Sequence, residues 1–264
     1  MGVINVTPDS FSDGGEAIDP LRARDIAQAM EASGADLIDI GAESTRPGSA
    51  PLGGAEELSR LLPVMKAVAS HVTIPISVDT YKTSVAESAL DQGAAIVNDI
   101  SAFAYDPQLG RLVAARRVPA ILMHMRGRPA DMSAHAEYSD VVAEVTADLQ
   151  HAIDRALRMG VTRDRLIVDP GLGFAKRAEH SLAALVGVEK LAELGFPILV
   201  GPSRKSFLTA AAGPLPPAQR DWPTAAAVTA AVLAGAHIIR VHSVENMIHV
   251  VRVADTLRLA ADAS

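Results

Sequence analysis

Residues 19–40, DPLRARDIAQAMEASGADLIDI, have the pattern of one helix followed by one strand, and the fold class follows from this unit. Apolar side chains recur with the i, i+3, i+4, i+7 spacing of an amphipathic helix. They are Ala23, Ile26, Ala27 and Met30. Asp19 and the proline after it supply a cap and a first turn, and Gly34 ends the helix. The short apolar run at 37–40 that follows is typical of a buried strand.

The same alternation of short apolar runs and helical patterns continues along the chain. We predict eight strands, at residues 3–6, 37–40, 74–78, 95–97, 120–123, 166–168, 197–200 and 238–241. Strands that alternate with helices form a parallel sheet, and eight such units in about 250 residues have the size of a (β/α)8 barrel. We therefore predict an α/β protein, a (β/α)8 TIM barrel that forms a single domain over residues 1–264. An open doubly wound sheet is the alternative.

The composition excludes several classes of function. The 264 residues carry a net charge of −7 and are 49% hydrophobic, so the chain can bury a large core and is not disordered. The acidic balance and an aromatic content of 3% argue against a nucleic-acid or anionic-membrane surface. Without cysteine there are no disulfides or thiolate sites, which fits a cytoplasmic location. The longest apolar stretch, 224–239, is interrupted by polar residues and predicts a buried helix running into a strand.

Polar residues stand where each predicted strand ends. In chain order they are Asn5, Asp39, Asp79, Asn98, Asp99, His124, Asp169, the segment 201–205, Arg240 and His242. One such residue is usually a turn former or cap, but a full set indicates a shared site, because the carboxyl ends of barrel strands converge on one mouth. The acceptors among them, Asp79, Asn98 and Asp169, suit the N–H edge of a neutral heterocycle. The donors that suit an anion such as phosphate are Arg46, Lys205, Arg240 and His242.

Two long polar segments, 7–15 and 43–48, are typical of lids over a catalytic face. Phe11 and Arg46 within them favour a functional role over plain surface loops. Residues 171–176 begin like a dinucleotide-binding GxGxxG motif, but Lys176 occupies the place of the third glycine. Residues 201–206 end like a P-loop without its spacing, and the role of His135 stays open.

These residues belong to sequence blocks that resemble the dihydropteroate synthase family. The blocks are GVINVTPDSFSDGG (2–15), ESTRPG (43–48), SVDT (77–80), VNDI (97–100), LMHM (122–125), DPGLGF (169–174), SRKS (203–206) and RVH (240–242). Each block is weakly specific alone, but their order over nearly the whole chain is highly specific. The sequence departs from the family pattern at Ala42 and Thr209, where Gly is common, and at Ser243, where Asp is common.

The resemblance implies an enzyme that condenses 6-hydroxymethyl-7,8-dihydropterin diphosphate with 4-aminobenzoate to give 7,8-dihydropteroate and pyrophosphate. It assigns the pterin to Asp79, Asn98, Asp169, Lys205 and Arg240. It assigns the diphosphate to Asn5, Thr45, Arg46, Arg240 and His242, and Mg²⁺ to Asn5. It assigns 4-aminobenzoate to Phe11, Pro47, Phe174 and Ser206, the last placed near a helix N-terminus that favours a carboxylate. The implied catalytic residues are Asn5, Arg46, Lys205, Arg240 and His242.

Two alternatives remain beside this interpretation. A pterin-binding methyltransferase of similar fold would pass a methyl group from methyltetrahydrofolate to a corrinoid protein, but it should lack the ESTRPG and SRKS blocks. A non-catalytic pterin-binding module should have lost its anion or metal groups, whereas Asn5, Arg46 and Arg240 are present. The family also implies a homodimer, Mg²⁺ as the cofactor and inhibition by sulfonamides. Neither a nucleic acid nor a membrane is expected as a partner.

Overall fold

The strands of the barrel are short and parallel. The computed structural model describes residues 1–7 and 19–262. In this part of the chain the strands are β1 (Gly2–Asn5), β2 (Ile38–Gly41), β3 (Ile76–Asp79), β4 (Ile96–Asp99), β5 (Ala120–Met123), β6 (Leu166–Asp169), β7 (Leu199–Val200) and β8 (Ile238–Ile239). Each predicted strand is present, although the last two are shorter than expected.

The eight strands close into a ring. β1 to β6 form one parallel sheet in chain order, and β7 pairs with β8. Single parallel bridges join the two sheets on both sides, Val168 with Ile198 and Gly2 with Val241. The main-chain bond from Val241 N to Met1 O, 2.9 Å, adds to the second bridge. The predicted (β/α)8 barrel is therefore confirmed, and the open doubly wound sheet is wrong because such a sheet would leave two unpaired edges.

Helices follow the strands around the outside of the barrel. Within the described residues they are α1 (Pro20–Ala32), α2 (Gly54–Ala69), α3 (Thr83–Asp91), α4 (Pro107–Arg116), α5 (Val141–Arg158), α6 (Ala178–Val186), α7 (Val188–Leu191), α8 (Thr209–Ala212), α9 (Asp221–Leu233) and α10 (Val244–Asp262). α1 begins as predicted, with the Asp19 carboxylate accepting from Leu21 N at 3.3 Å. None of these helices is long and apolar enough to span a bilayer.

The two faces of the strands divide the core into two compartments. Outward-facing side chains pack against the helices in the main hydrophobic cluster. A separate cluster inside the barrel forms an apolar plug of Met1, Ile96, Ile121 and Leu199, with Leu37, Ile167 and Ile238 packed against it. Because successive side chains of a strand alternate between its faces, residues two further along also point inward, above the plug. They include Asn98 above Ile96, Asp169 above Ile167 and Arg240 above Ile238.

Candidate active site

Arg240 lies in the polar layer above the plug. Its Nε and Nη2 both lie 2.7 Å from Asp39 Oδ2, and Nη2 donates to Asp79 Oδ2 at 3.0 Å. Asn98 Nδ2 donates to the same Asp39 oxygen at 3.0 Å. Asp39 is 0% exposed and Asn98 5%, so water hardly competes for these bonds. Strands β2, β3 and β4 and the residue after β8 thus bring together two carboxylates, an amide and a guanidinium.

Asp79 is the titratable carboxylate of this layer. Burial raises the pKa of Asp79 to about 7, the nearby charge of Asp39 raises it as well, and the charge of Arg240 opposes both. The carboxyl group therefore titrates near neutral pH. A ligand N–H that donates to it favours the ionised form.

Asp169 and Lys205 form a second part of the interior wall. Asp169 is buried, its Oδ1 accepts from Gly171 N at 2.7 Å, and burial raises its pKa while the charge of Lys205 lowers it. Lys205 Nζ donates to the carbonyl of Leu172 and lies 4.7 Å from the ring centroid of Phe174. Burial lowers the pKa of Lys205 to about 8, and the charge of Asp169 opposes this. The wall therefore offers both an acceptor and a titratable donor.

His242 provides a neutral donor next to these charges. Ser203 Oγ accepts from His242 N at 3.1 Å and lies 2.9 Å from His242 Nδ1. Burial, then the positive charges of Arg240 and Arg204, lower the pKa of His242 to about 4. When the Ser203 hydroxyl donates to Nδ1, the neutral ring carries its proton on Nε2. His242 can therefore donate one N–H to an anion without carrying a charge.

Comparison with known proteins agrees with this arrangement. A family model described as pterin binding enzyme matches residues 1–242. The chain is 44% identical over 257 residues to the dihydropteroate synthase of Synechocystis sp. The matched region covers 97% of this chain and 89% of that relative. The chain belongs to the pterin-binding enzyme family.

Two solved structures of the Xanthomonas albilineans dihydropteroate synthase share the fold. The structure with 4-aminobenzoic acid has a TM-score of 0.90 at 39% identity, and the match covers 97% of this chain and 92% of the chain in that structure. The structure with 7,8-dihydropteroate has a TM-score of 0.87 at 36% identity, with the same shares covered. The resemblance to dihydropteroate synthases is confirmed, and the methyltransferase alternative is not favoured.

In this member of the pterin-binding enzyme family, the second predicted loop follows the carboxyl end of β2. Thr45 is half-buried, whereas Arg46 and Pro47 are exposed. The loop is attached to a neighbouring segment by the bond from Gly48 N to Pro129 O, 2.8 Å. Thr45, Arg46 and Pro47 are thus not part of the buried layer.

The other residues predicted to contact 4-aminobenzoate differ in how deeply they are buried. Phe174 is half-buried beside Lys205, but Phe11 lies outside the described residues. Ser206 is exposed and begins a single 3-10 turn, Ser206–Leu208, which runs into the four-residue α8. A helical segment does begin at Ser206 as predicted, but it is so short that it sums few peptide dipoles. Only the Ser206 hydroxyl remains as a reason for a carboxylate contact.

Three polar strand-end residues do not face the mouth as predicted. Asp39 lies within β2 and is fully buried below Arg240. The Asp99 carboxylate accepts from Ser101 N and Phe103 N, both at 2.7 Å, and so fixes the turn after β4. His124 belongs to a buried cluster behind the loop that follows β6. The hydrogen bonds of these three side chains go to other protein groups.

Sequence reasoning missed the role of Lys176 in that cluster. Lys176 Nζ lies 2.8 Å from His124 Nδ1 and donates to the carbonyls of Gly171 and Phe174, each at 3.2 Å. His124 Nε2 lies 3.1 Å from Asp148 Oδ2, and burial lowers the pKa of His124 to about 4, so its neutral ring accepts from the lysine. The available signal was the lysine that breaks the GxGxxG pattern. Its three bonds hold the loop that carries Phe174.

Proposed function

We propose that the protein is a dihydropteroate synthase, which joins 6-hydroxymethyl-7,8-dihydropterin diphosphate to 4-aminobenzoate and releases pyrophosphate. The observation that carries this proposal is the interior layer above the apolar plug, in which Arg240 bonds to Asp79 and shares the Asp39 carboxylate with Asn98. Asp169 and Lys205 line the same barrel interior. Relatives of the same fold with 4-aminobenzoate or 7,8-dihydropteroate bound support the choice of substrates.

The acceptors explain how a pterin would be recognised. A dihydropterin ring carries N–H and NH2 donors along its edge, and ionised Asp79 and Asp169 can accept from them. The Asn98 carboxamide can accept and donate at once, and Lys205 can donate to the ring carbonyl. A ring without these groups would leave buried polar atoms unpaired, which is a strong basis for selectivity.

The donors explain how the diphosphate would leave. The bond that breaks joins the methylene carbon to a diphosphate oxygen, and its electron pair departs with pyrophosphate. Arg240 and the neutral His242 would donate N–H groups to the oxygens on which charge grows. The carbon left behind is stabilised by conjugation with the ring, and the aniline nitrogen of 4-aminobenzoate attacks it and releases a proton to water. A strong base is unnecessary because that nitrogen is already neutral at pH 7.

Mg²⁺ is the proposed cofactor, with Asn5 as its protein ligand. The Asn5 side chain is half-buried at the end of β1 and makes no hydrogen bond within the described residues, so its oxygen is available. Those residues contain no cluster of three or more acidic or histidine side chains that could hold a metal. This suits Mg²⁺, which often takes one or two protein oxygens and completes its shell with phosphate and water. When bound, the ion would neutralise charge on the departing pyrophosphate.

For 4-aminobenzoate we propose Phe174, Pro47 and Phe11 as the apolar contacts and the Ser206 hydroxyl as the partner of the carboxylate. Thr45 and Arg46 of the second loop are proposed to reach the diphosphate when that loop closes. Closure of the loop would exclude water, which otherwise competes with the aniline nitrogen for the electron-poor carbon.

A homodimer through α9 and α10 is part of the proposal. The two helices border an apolar groove of about 540 Å³ that includes Trp222, Val250, Val253 and Leu257. Trp222 is 87% exposed and Val253 62%, and exposed apolar surface of this kind often marks a protein interface. Light scattering on Trp222→Glu should give half the mass of the wild type; a wild-type monomer would contradict the proposal.

A cytoplasmic location is proposed from the cysteine-free composition alone.

Pyrophosphate release by the purified protein tests the proposed function. We expect release only when the pterin diphosphate, 4-aminobenzoate and Mg²⁺ are all present. Release without 4-aminobenzoate would indicate a hydrolase, and binding without release would indicate the non-catalytic module. Transfer of a methyl group from methyltetrahydrofolate to a corrinoid would support the methyltransferase. Each of these three outcomes would overturn the proposal.

A further inference from the structure

Asp39 is the shared partner of two residues that the proposed function assigns to different parts of the substrate. All its hydrogen bonds end on one oxygen, Oδ2, which receives Arg240 Nε at 2.7 Å and Asn98 Nδ2 at 3.0 Å. Its other oxygen, Oδ1, is buried without a partner among the described residues. Asp39 itself lies in the middle of β2 and is 0% exposed, so it acts on its two partners and not on a substrate at the mouth of the barrel.

The contacts to Asp39 fix the plane of the Arg240 guanidinium. Nε and Nη2 are used by Asp39 and Asp79, so the donors on Nη1 form the edge left for an anion. A guanidinium held at two edges loses little further freedom when it binds phosphate. Without Asp39, one contact to Asp79 at 3.0 Å would remain, and the group could rotate about it.

The same oxygen sets the orientation of the Asn98 carboxamide. Because Nδ2 donates to Asp39, Oδ1 of Asn98 faces away from it and remains available as an acceptor. A flipped amide would place its own oxygen against the Asp39 carboxylate, which is repulsive. Asp39 therefore decides which hydrogen-bonding pattern Asn98 presents to a ring.

We propose that Asp39 is a positioning residue that couples the ring subsite to the diphosphate subsite through one buried carboxylate oxygen. This inference rests on the proposed function, since it takes Asn98 as a ring contact and Arg240 as a diphosphate contact. It assigns Asp39 no contact with the substrate. The role differs from that of Asp99, whose carboxylate accepts hydrogen bonds from its own turn.

Two probes separate the subsites in calorimetric titrations: 6-hydroxymethylpterin, which has no diphosphate, and pyrophosphate with Mg²⁺. For Asp39→Ala we expect both affinities to fall about tenfold or more, since each subsite loses a charge-assisted bond that orders it. Asn98→Ala should weaken the pterin only. Ser77→Ala is the matched control, because Ser77 pairs with Asp39 in register and its buried hydroxyl has no partner among the described residues. It should change neither affinity more than about twofold.

Asp39→Asn tests whether position or charge matters. Its amide oxygen can replace Oδ2 as the acceptor from Arg240 and Asn98, but these bonds lose the negative charge and the buried NH2 stays unpaired. Both affinities should therefore lie between those of Asp39→Ala and the wild type. If Asp39→Ala does not fold, Asp39→Ser serves in its place, since its shorter side chain reaches neither Arg240 nor Asn98.

The outcomes are separable. A folded Asp39→Ala or Asp39→Ser protein that keeps either affinity would overturn the inference, as would an Asp39→Asn protein as weak as Asp39→Ala. A wild-type protein that binds neither probe would instead overturn the proposed function.

Discussion

Replacing Asp169 with asparagine should remove most of the affinity for the pterin ring. The amide oxygen can keep the bond to Gly171 N, 2.7 Å in the wild type, so the backbone after β6 is preserved. The amide NH2 then points at the ring in place of a carboxylate oxygen, and two donors face each other. Losing a buried bond to a charged acceptor costs about 1.5–3 kcal/mol, and leaving a donor unpaired adds to this. We expect a total near 3 kcal/mol, or about a hundredfold in Kd.

Calorimetric titration with 6-hydroxymethylpterin measures this loss. Asp99→Asn is the matched control, because it makes the same change at another carboxylate that is buried at a strand end. The Asp99 carboxylate accepts its hydrogen bonds from the turn at Ser101 and Phe103. It should lower the melting temperature and leave Kd within about threefold of the wild type. If Asp169→Asn also stays within threefold while folded, Asp169 is not a ring contact and the reasoning fails.

Three further predictions concern pH, the lid and the buried lysine. The affinity for the pterin ring, corrected for titration of the free ligand, should be greatest between pH about 7 and about 8. Below this window protonated Asp79 stops accepting a hydrogen bond from the ring, and above it Lys205 loses its proton. An affinity that stays constant from pH 6 to 9 would contradict this. Arg46→Ala should lower kcat more than it weakens pterin binding, because exposed Arg46 is proposed to reach the diphosphate only when its loop closes. A loss confined to affinity would count against a lid. Lys176→Met removes three hydrogen bonds and should lower the free energy of unfolding, measured in urea titrations, by about 3 kcal/mol. The exposed control Lys190→Met should lower it by less than about 0.5 kcal/mol. Equal losses would show that the Lys176 bonds contribute little.

The fold and the polar layer above the plug were predictable because both follow from the period of a strand. Asn98 and Asp169 end apolar runs, and the same alternation that fills the plug with Ile96 and Ile167 turns these polar residues into the barrel. Closure of the sheet was predictable from the number of strand–helix units. The bridges at Gly2 and Val168 that close it depend on contacts between distant residues, which no local pattern contains.

The supporting residues were harder to predict, since their roles depend on long-range partners. Asp39 and Asp99 both read as polar strand ends, yet one supports Arg240, 201 residues away, and the other fixes its own turn. Lys176 meets His124 across 52 residues, and in sequence it marks only a broken motif. The short length of the helix that begins near Ser206 was not predictable in the same way, because it depends on the turn at Gly213, where α8 ends.

A crystal structure of the protein with 6-hydroxymethyl-7,8-dihydropterin bound would show whether the barrel interior holds the pterin ring. We expect the ring inside the barrel above the plug, with its donors on Asp79 and Asp169, its carbonyl near Lys205 and its methylene toward Arg240. A ring bound on the outer surface, or inside the barrel without contact to either carboxylate, would contradict it.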